Sequence, residues 1–64
     1  MMSIYKFENI DVIDIDAEVP ESILADIDWD MLDVGDPIHD DSGLPIALVA
    51  GKTEDSVTIK PIEE

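Results

Sequence analysis

The sequence contains no cysteine and no arginine, and it has one histidine, three lysines and three aromatic residues. Because cysteine is missing, disulfides and thiolate metal sites are excluded. No apolar run approaches the roughly 18–20 residues of a membrane-spanning helix, and the N-terminus lacks the apolar region of a signal peptide. We therefore expect a cytoplasmic protein that does not contact a membrane.

Acidic residues dominate the charged side chains. The chain has 17 Asp and Glu, which give it a formal net charge of −14 at pH 7. Thirteen of these acids lie between Glu8 and Asp41, in a stretch without lysine or arginine. Phosphate groups would repel such a chain, so nucleic acids and anionic membranes are poor direct partners. This segregation of charge indicates an acidic interaction surface.

The composition also indicates a folded chain. Hydrophobic residues make up 45% of it and the mean hydropathy is +0.07, whereas disordered acidic chains are much less hydrophobic. The plentiful Ile and Val favour strands. A length of 64 residues allows one small domain. We expect an α+β, mostly β fold over residues 1–64, with about four strands and one short helix.

Hydrophobic periodicity places these elements along the chain. Residues 13–19 alternate strictly between apolar and acidic side chains, which predicts a half-buried strand with Asp14, Asp16 and Glu18 on its outer face, roughly 6.6–6.8 Å apart. Strands are also predicted at 3–7, 44–50 and 56–60, with a loop at 51–55. Pro20 opens a helix over about 20–27, followed by an Asp-rich turn or short strand. Residues 34–43 have turn chemistry.

Motifs for metal binding and catalysis are incomplete. Alternating acids from Asp26 resemble the start of a calcium-binding EF-hand loop, but its sixth and twelfth positions are Met31 and Pro37 instead of Gly and Glu. Loose binding of a divalent cation by crowded carboxylates stays open. His39 lacks the partners of an ordinary zinc site. We expect no cofactor and no enzymatic activity.

The dense acids form the candidate partner-binding site. Carboxylates repeating every roughly 5–7 Å approach the phosphate spacing of one DNA strand, and solubility alone needs a net charge of only about 2–8. The sequence leaves two roles open for Trp29, a core residue and an interface contact. In the second role, Trp29 or Ile23 would supply an apolar anchor for the partner. The candidate residues are Asp14, Asp16, Glu18, Glu21, Asp26, Asp28, Trp29, Asp30 and Asp33.

Residues 17–62 resemble the swapped-hairpin domain of AbrB and MazE-type regulators and antitoxins. The likeness rests on Val19-Pro20 before a short helix, on Gly35-Asp36, and on a closing segment that runs into Pro61. It implies a dimer of interleaved hairpins. The Gly-Asp pair lies late in the pattern, and the basic residues that contact DNA in the family are missing, so DNA binding is not expected.

A shorter segment, Glu21-Ser22-Ile23-Leu24, resembles one in the phage uracil-DNA glycosylase inhibitor, a small acidic DNA mimic. This resemblance implies a phage or mobile-element inhibitor of a host nuclease, CRISPR effector, restriction enzyme or glycosylase, acting by protein–protein interaction against host defence. Its partner would be a basic, nucleic-acid-binding protein. The alternatives are an antitoxin-like or regulatory dimerisation module, with a homodimer open, and a structural or decorating subunit of a larger assembly.

Overall fold

The computed structural model describes residues 2–62 and forms one five-stranded sheet with a short helix and a 3-10 helix. The strands are β1 (Met2–Lys6), β2 (Asp11–Ile15), β3 (Pro37–His39), β4 (Pro45–Lys52) and β5 (Ser56–Pro61). Helix α1 (Glu21–Asp26) and the 3-10 helix (Trp29–Met31) lie between β2 and β3. The mostly β, α+β fold class is confirmed, with five strands against about four expected. No helix within residues 2–62 is long and apolar enough to cross a membrane.

The order of the strands across the sheet is β1-β2-β5-β4-β3. Neighbouring strands are antiparallel except for the central pair, β2 and β5, which is parallel. Tight turns join β1 to β2, β3 to β4 and β4 to β5, whereas residues 16–36 cross from β2 in the sheet interior to β3 at its edge. We call residues 16–36 the acidic crossover.

The core lies between one face of the sheet and the acidic crossover. The sheet contributes the buried side chains Val12, Ile38, Ala47, Val49, Val57 and Ile59. The crossover contributes Val19, Leu24 and Trp29, which are also buried. Trp29 is 7% exposed, and its Nε1 donates a hydrogen bond to the backbone oxygen of Leu24 over 3.2 Å. Trp29 therefore belongs to the core.

The opposite face of the sheet remains outside this core. The register places Met2 and Ile4 of β1 beside Ile15 and Ile13 of β2, with Thr58 of β5 next to Ile13. Met2, Ile4 and Ile15 are 60%, 54% and 43% exposed. We call this surface the open face; its residues include Met2, Ile4, Lys6, Asp11, Ile13, Ile15, Pro37, Leu48, Ser56, Thr58 and Lys60.

The predicted strand at 13–19 is wrong in extent and in the direction of its side chains. Strand β2 ends at Ile15, and the chain turns through Asp16 and Glu18, whose φ angles are 61° and 55°. Asp14 is buried, while Ile15 is exposed. Because both faces of the sheet carry apolar residues, alternation alone does not decide which face is buried.

Three further boundaries differ from the sequence prediction. The helix covers Glu21–Asp26, inside the predicted 20–27, because Ile27 is extended. The Asp-rich segment after it forms a 3-10 helix in place of a turn or strand. Residues 34–43 contain strand β3, which pairs with β4 through Ile38 and Ala47, as well as turns. A three-residue strand is too short to show periodicity in the sequence.

Candidate protein-binding surface

Most of the exposed carboxylates belong to the acidic crossover. Its buried side chains point toward the sheet, so its exposed ones lie on the outer surface of the layer that covers the core. No lysine or arginine occurs between residues 16 and 36. The exposed acids here are Asp16, Glu18, Glu21, Asp26, Asp28, Asp30 and Asp33. Seven of the nine candidate residues are therefore exposed on one layer of the fold.

Local backbone structure explains why these acids face solvent. In α1, Leu24 is buried and Ile23 is half-buried, whereas Glu21 and Asp26 lie at exposed positions at the two ends of the helix. In the 3-10 helix, Trp29 turns inward and Asp30 outward. Neither helix has a side-chain hydrogen bond at its N-cap. The carboxylate of Asp28, the N-cap residue of the 3-10 helix, therefore does not cap the helix backbone.

Lys52 anchors the acidic crossover to the sheet. This half-buried residue ends β4, and its Nζ donates hydrogen bonds to the backbone oxygens of Trp29, over 2.7 Å, and Leu32. A cation is favourable here because its hydrogen bonds to the two carbonyl oxygens are charge-assisted and lie at a half-buried site. The ammonium of Lys52 therefore lies on the inner side of the acidic crossover. The exposed carboxylates have no lysine within the crossover itself.

Asp14 does not belong to the exposed acids, and the prediction that its side chain faces a partner is wrong. It is 2% exposed. Its Oδ1 accepts hydrogen bonds from the backbone N–H groups of Ala17 and Glu18, over 2.7 and 3.2 Å, and its Oδ2 accepts one from Val19 over 2.9 Å. The carboxylate thus satisfies three donors in a turn that contains two residues with positive φ.

Asp36 and Asp40 also use their carboxylates within the fold. Asp36 Oδ2 accepts the backbone N–H of Asp33 over 2.9 Å. Asp40 Oδ1 accepts those of Ser42 and Leu44, over 2.9 and 3.0 Å, which is typical of an Asx turn. Both residues are half-buried. Asp36 and Asp40 therefore hold turns and are less exposed than the seven acids on the outside of the crossover.

A cleft of about 300 Å³ lies beside the crossover. It is bounded by the β1–β2 turn, by the segment from α1 to the 3-10 helix, and by the β4–β5 turn. Its lining combines the apolar residues Phe7, Ile10, Leu24, Ala25, Ile27 and Trp29 with the acids Glu8, Asp28, Asp30 and Glu54, with Asn9 and Thr53, and with the cation Lys52. Sequence reasoning missed Phe7, Glu8 and Glu54, because they come from two distant turns that only the sheet brings together.

The described residues do not form a metal centre. Within residues 2–62, no group of three His, Asp or Glu side chains is arranged to hold a metal ion. His39 lies at an exposed position on the edge strand β3. The surface therefore offers charge, and a small apolar cleft, in place of a coordination site.

Comparison of the chain with protein-family models, with curated proteins and with solved structures finds no significant match. The resemblances to the swapped-hairpin domain and to the phage glycosylase inhibitor stay predictions.

Proposed function

We propose that the protein is an acidic DNA-mimic inhibitor that binds the basic groove of a host DNA-binding protein, such as a nuclease, CRISPR effector, restriction enzyme or glycosylase. It acts in the host cytoplasm and is encoded by a phage or another mobile element. It catalyses no reaction and needs no cofactor. Carboxylates of the acidic crossover occupy the positions of DNA phosphates in the groove, and electrostatic steering accelerates association.

The observation that carries this proposal is the separation of charge on the fold. The crossover exposes seven acids and no lysine, while Lys52 is bound beneath it and the other two lysines lie on the open face. A continuous layer of one charge sign complements a groove that has evolved to bind phosphates. The predicted row of Asp14, Asp16 and Glu18 along one strand does not exist, because β2 ends at Ile15. The proposal is therefore supported by the density of the exposed acids and not by a regular spacing between them.

The cleft adds a contact that a uniformly charged surface would lack. Its apolar lining meets four acids, Glu8, Asp28, Asp30 and Glu54, and one cation, Lys52, whose ammonium is already hydrogen-bonded to the backbone oxygens of Trp29 and Leu32. The side chain of a lysine or arginine has this same division, since its aliphatic stem packs on apolar groups while its cation stays at a polar rim. We infer that the cleft accepts such a side chain from the wall of the target's groove.

The test is an inhibition assay with purified enzymes of the four target classes acting on duplex DNA. The wild-type chain is expected to inhibit at least one of them. The variant with Asp28→Lys and Asp30→Lys should lose inhibition by about a hundredfold or more, because two close charge pairs become repulsive and interfacial charge pairs couple by about 1.5–7 kcal/mol. Both residues are exposed and neither caps its helix, so the fold is preserved.

The matched control is the variant with Asp41→Lys, Ser42→Lys and Leu44→Lys. These exposed residues lie in the β3–β4 turn, outside the crossover and the cleft, and the control changes the net charge by the same four units. It should retain most of the inhibition. Equal losses in the two variants would show that net charge alone acts, and inhibition of none of the four classes would contradict the proposal.

A further inference from the structure

The cleft beside the acidic crossover has an apolar interior and an acidic mouth. Apart from Lys52, its buried and half-buried lining residues are apolar: Phe7, Ile10, Leu24, Ile27 and Trp29. Its exposed lining residues include the four acids Glu8, Asp28, Asp30 and Glu54. A volume of about 300 Å³ is at the lower end of the range for ligand pockets, which suits a single side chain better than a larger molecule.

The four carboxylates at the mouth come from three separate segments of the chain. Asp28 and Asp30 belong to the crossover. Glu8 belongs to the β1–β2 turn, and Glu54 belongs to the β4–β5 turn. The acidic mouth therefore extends beyond the crossover onto two turns of the sheet, and its carboxylates surround the apolar interior on more than one side.

Lys52 leaves the mouth of the cleft acidic. Its ammonium donates hydrogen bonds to the backbone oxygens of Trp29 and Leu32, so it is already bound to the backbone. Among the described residues, four carboxylates and one ammonium give the lining a formal charge of −3. This charge is complementary to a cation, and the apolar interior is complementary to the aliphatic stem of a long cationic side chain.

The arrangement of the mouth favours arginine over lysine. A guanidinium is planar and has five N–H donors in a fixed fork, so one group can donate to carboxylates on different sides of the cleft. It also stacks on aromatic rings, and both Phe7 and Trp29 line the interior. An ammonium is a compact and strongly hydrated charge, so it gains less when it leaves water.

We propose that the cleft is a binding site for an arginine side chain, and that Glu8 and Glu54 determine its specificity. The aliphatic stem packs in the apolar interior, and the guanidinium binds the carboxylates at the mouth. The assignment of this arginine to the target's groove rests on the proposed function, whereas the preference of the cleft for a guanidinium does not. The site distinguishes a basic groove that projects an arginine from one that offers lysines alone.

The test is a titration of the isotope-labelled full chain with N-acetyl-arginine methylamide, in about 0.15 M NaCl to screen long-range attraction. N-acetyl-lysine methylamide carries the same charge, and N-acetyl-norleucine methylamide carries none. Trp29 is the one tryptophan of the chain, so its indole N–H gives a single NMR signal from the cleft lining. The arginine probe should shift this signal with a Kd on the order of 1 mM. The lysine probe should bind about threefold more weakly or worse, and the norleucine probe more weakly still.

A pair of double variants tests the role of the two turns. Glu8→Gln with Glu54→Gln should weaken binding of the arginine probe by about fivefold or more, because two charge-assisted contacts are lost. Both positions are exposed and glutamine has the shape of glutamate, so the fold is preserved. Glu18→Gln with Glu21→Gln is the matched control, since it makes the same changes at exposed positions of the crossover outside the cleft. It should change the Kd by about twofold or less.

Equal affinities for the arginine and lysine probes would overturn the proposal, because charge alone would then attract both. Equal weakening by the two double variants would also overturn it, and so would an indole signal that does not shift with the arginine probe. A chain that inhibits a target but does not bind the arginine probe would exclude this inference and leave the proposed function intact. A chain that binds the probe selectively but inhibits none of the four enzyme classes would do the reverse.

Discussion

At the scale of single residues, Asp14 shows that identical acids in one sequence pattern have different roles. It lies two residues from Asp16 and, like Asp16, has an apolar residue on each side, yet it is buried and accepts hydrogen bonds from three backbone N–H groups. Its role depends on a turn with two positive φ angles at residues other than glycine, and nothing in the local composition indicates such a turn.

Replacement of Asp14 by Asn should destabilise the fold by about 1–3 kcal/mol. Both carboxylate oxygens accept hydrogen bonds, so an amide NH₂ would face a backbone donor and leave it buried without an acceptor. Urea unfolding, followed by the fluorescence of the buried Trp29, measures the change. The control Asp26→Asn removes the same charge at an exposed position and should change the free energy of unfolding by about 0.5 kcal/mol or less.

The role of Trp29 follows from its burial in the fold and not from its neighbours in the sequence. The sequence left it open between core and interface, because Asp28 and Asp30 flank it on both sides. In the 3-10 helix the flanking acids turn outward while the indole turns inward. The residue therefore belongs to the core and also lines the cleft.

At the scale of elements, strands with strong local signals were predictable. The expected strands at 44–50 and 56–60 correspond to β4 (Pro45–Lys52) and β5 (Ser56–Pro61), and the helix differs by one residue at each end. The apolar run, the turn residues between the strands and Pro20 are local signals that act wherever the segment lies.

The elements that sequence reasoning missed depend on partners distant in the chain. Strand β3 exists through its pairing with β4, and the direction of β2 depends on an open face that is itself apolar. Most of the candidate site was predictable, because Asp and Glu are seldom buried without a partner and this segment contains no lysine to pair with them. The cleft was not predictable, because the three segments that line it are distant in the chain and meet only in the folded sheet.

The attachment of the acidic crossover to the sheet depends on Lys52. Lys52→Met retains an apolar stem but removes the ammonium that binds the carbonyls of Trp29 and Leu32. The free energy of unfolding should fall by about 1–3 kcal/mol. Lys60→Met is the control, since it removes the same charge from an exposed position in β5 and should have an effect of about 0.5 kcal/mol or less. Equal effects in urea unfolding would contradict the anchoring role.

At the scale of the whole molecule, the fold separates two kinds of surface. The crossover covers one face of the sheet and exposes acids, while the other face exposes Ile, Met and two of the three lysines. Uniform acidity would serve solubility alone. The two faces therefore differ in charge and in the exposed apolar side chains that they carry.

The most direct test of the central claim is competition between the chain and duplex DNA for one inhibited target. Binding of the labelled chain is titrated while the concentration of DNA is raised at constant salt. If the acidic crossover occupies the nucleic-acid groove, the apparent Kd should rise in proportion to the DNA concentration above the DNA's own Kd, without a plateau. An apparent Kd that stays constant or reaches a plateau would contradict the claim, because DNA and chain would then bind the target together.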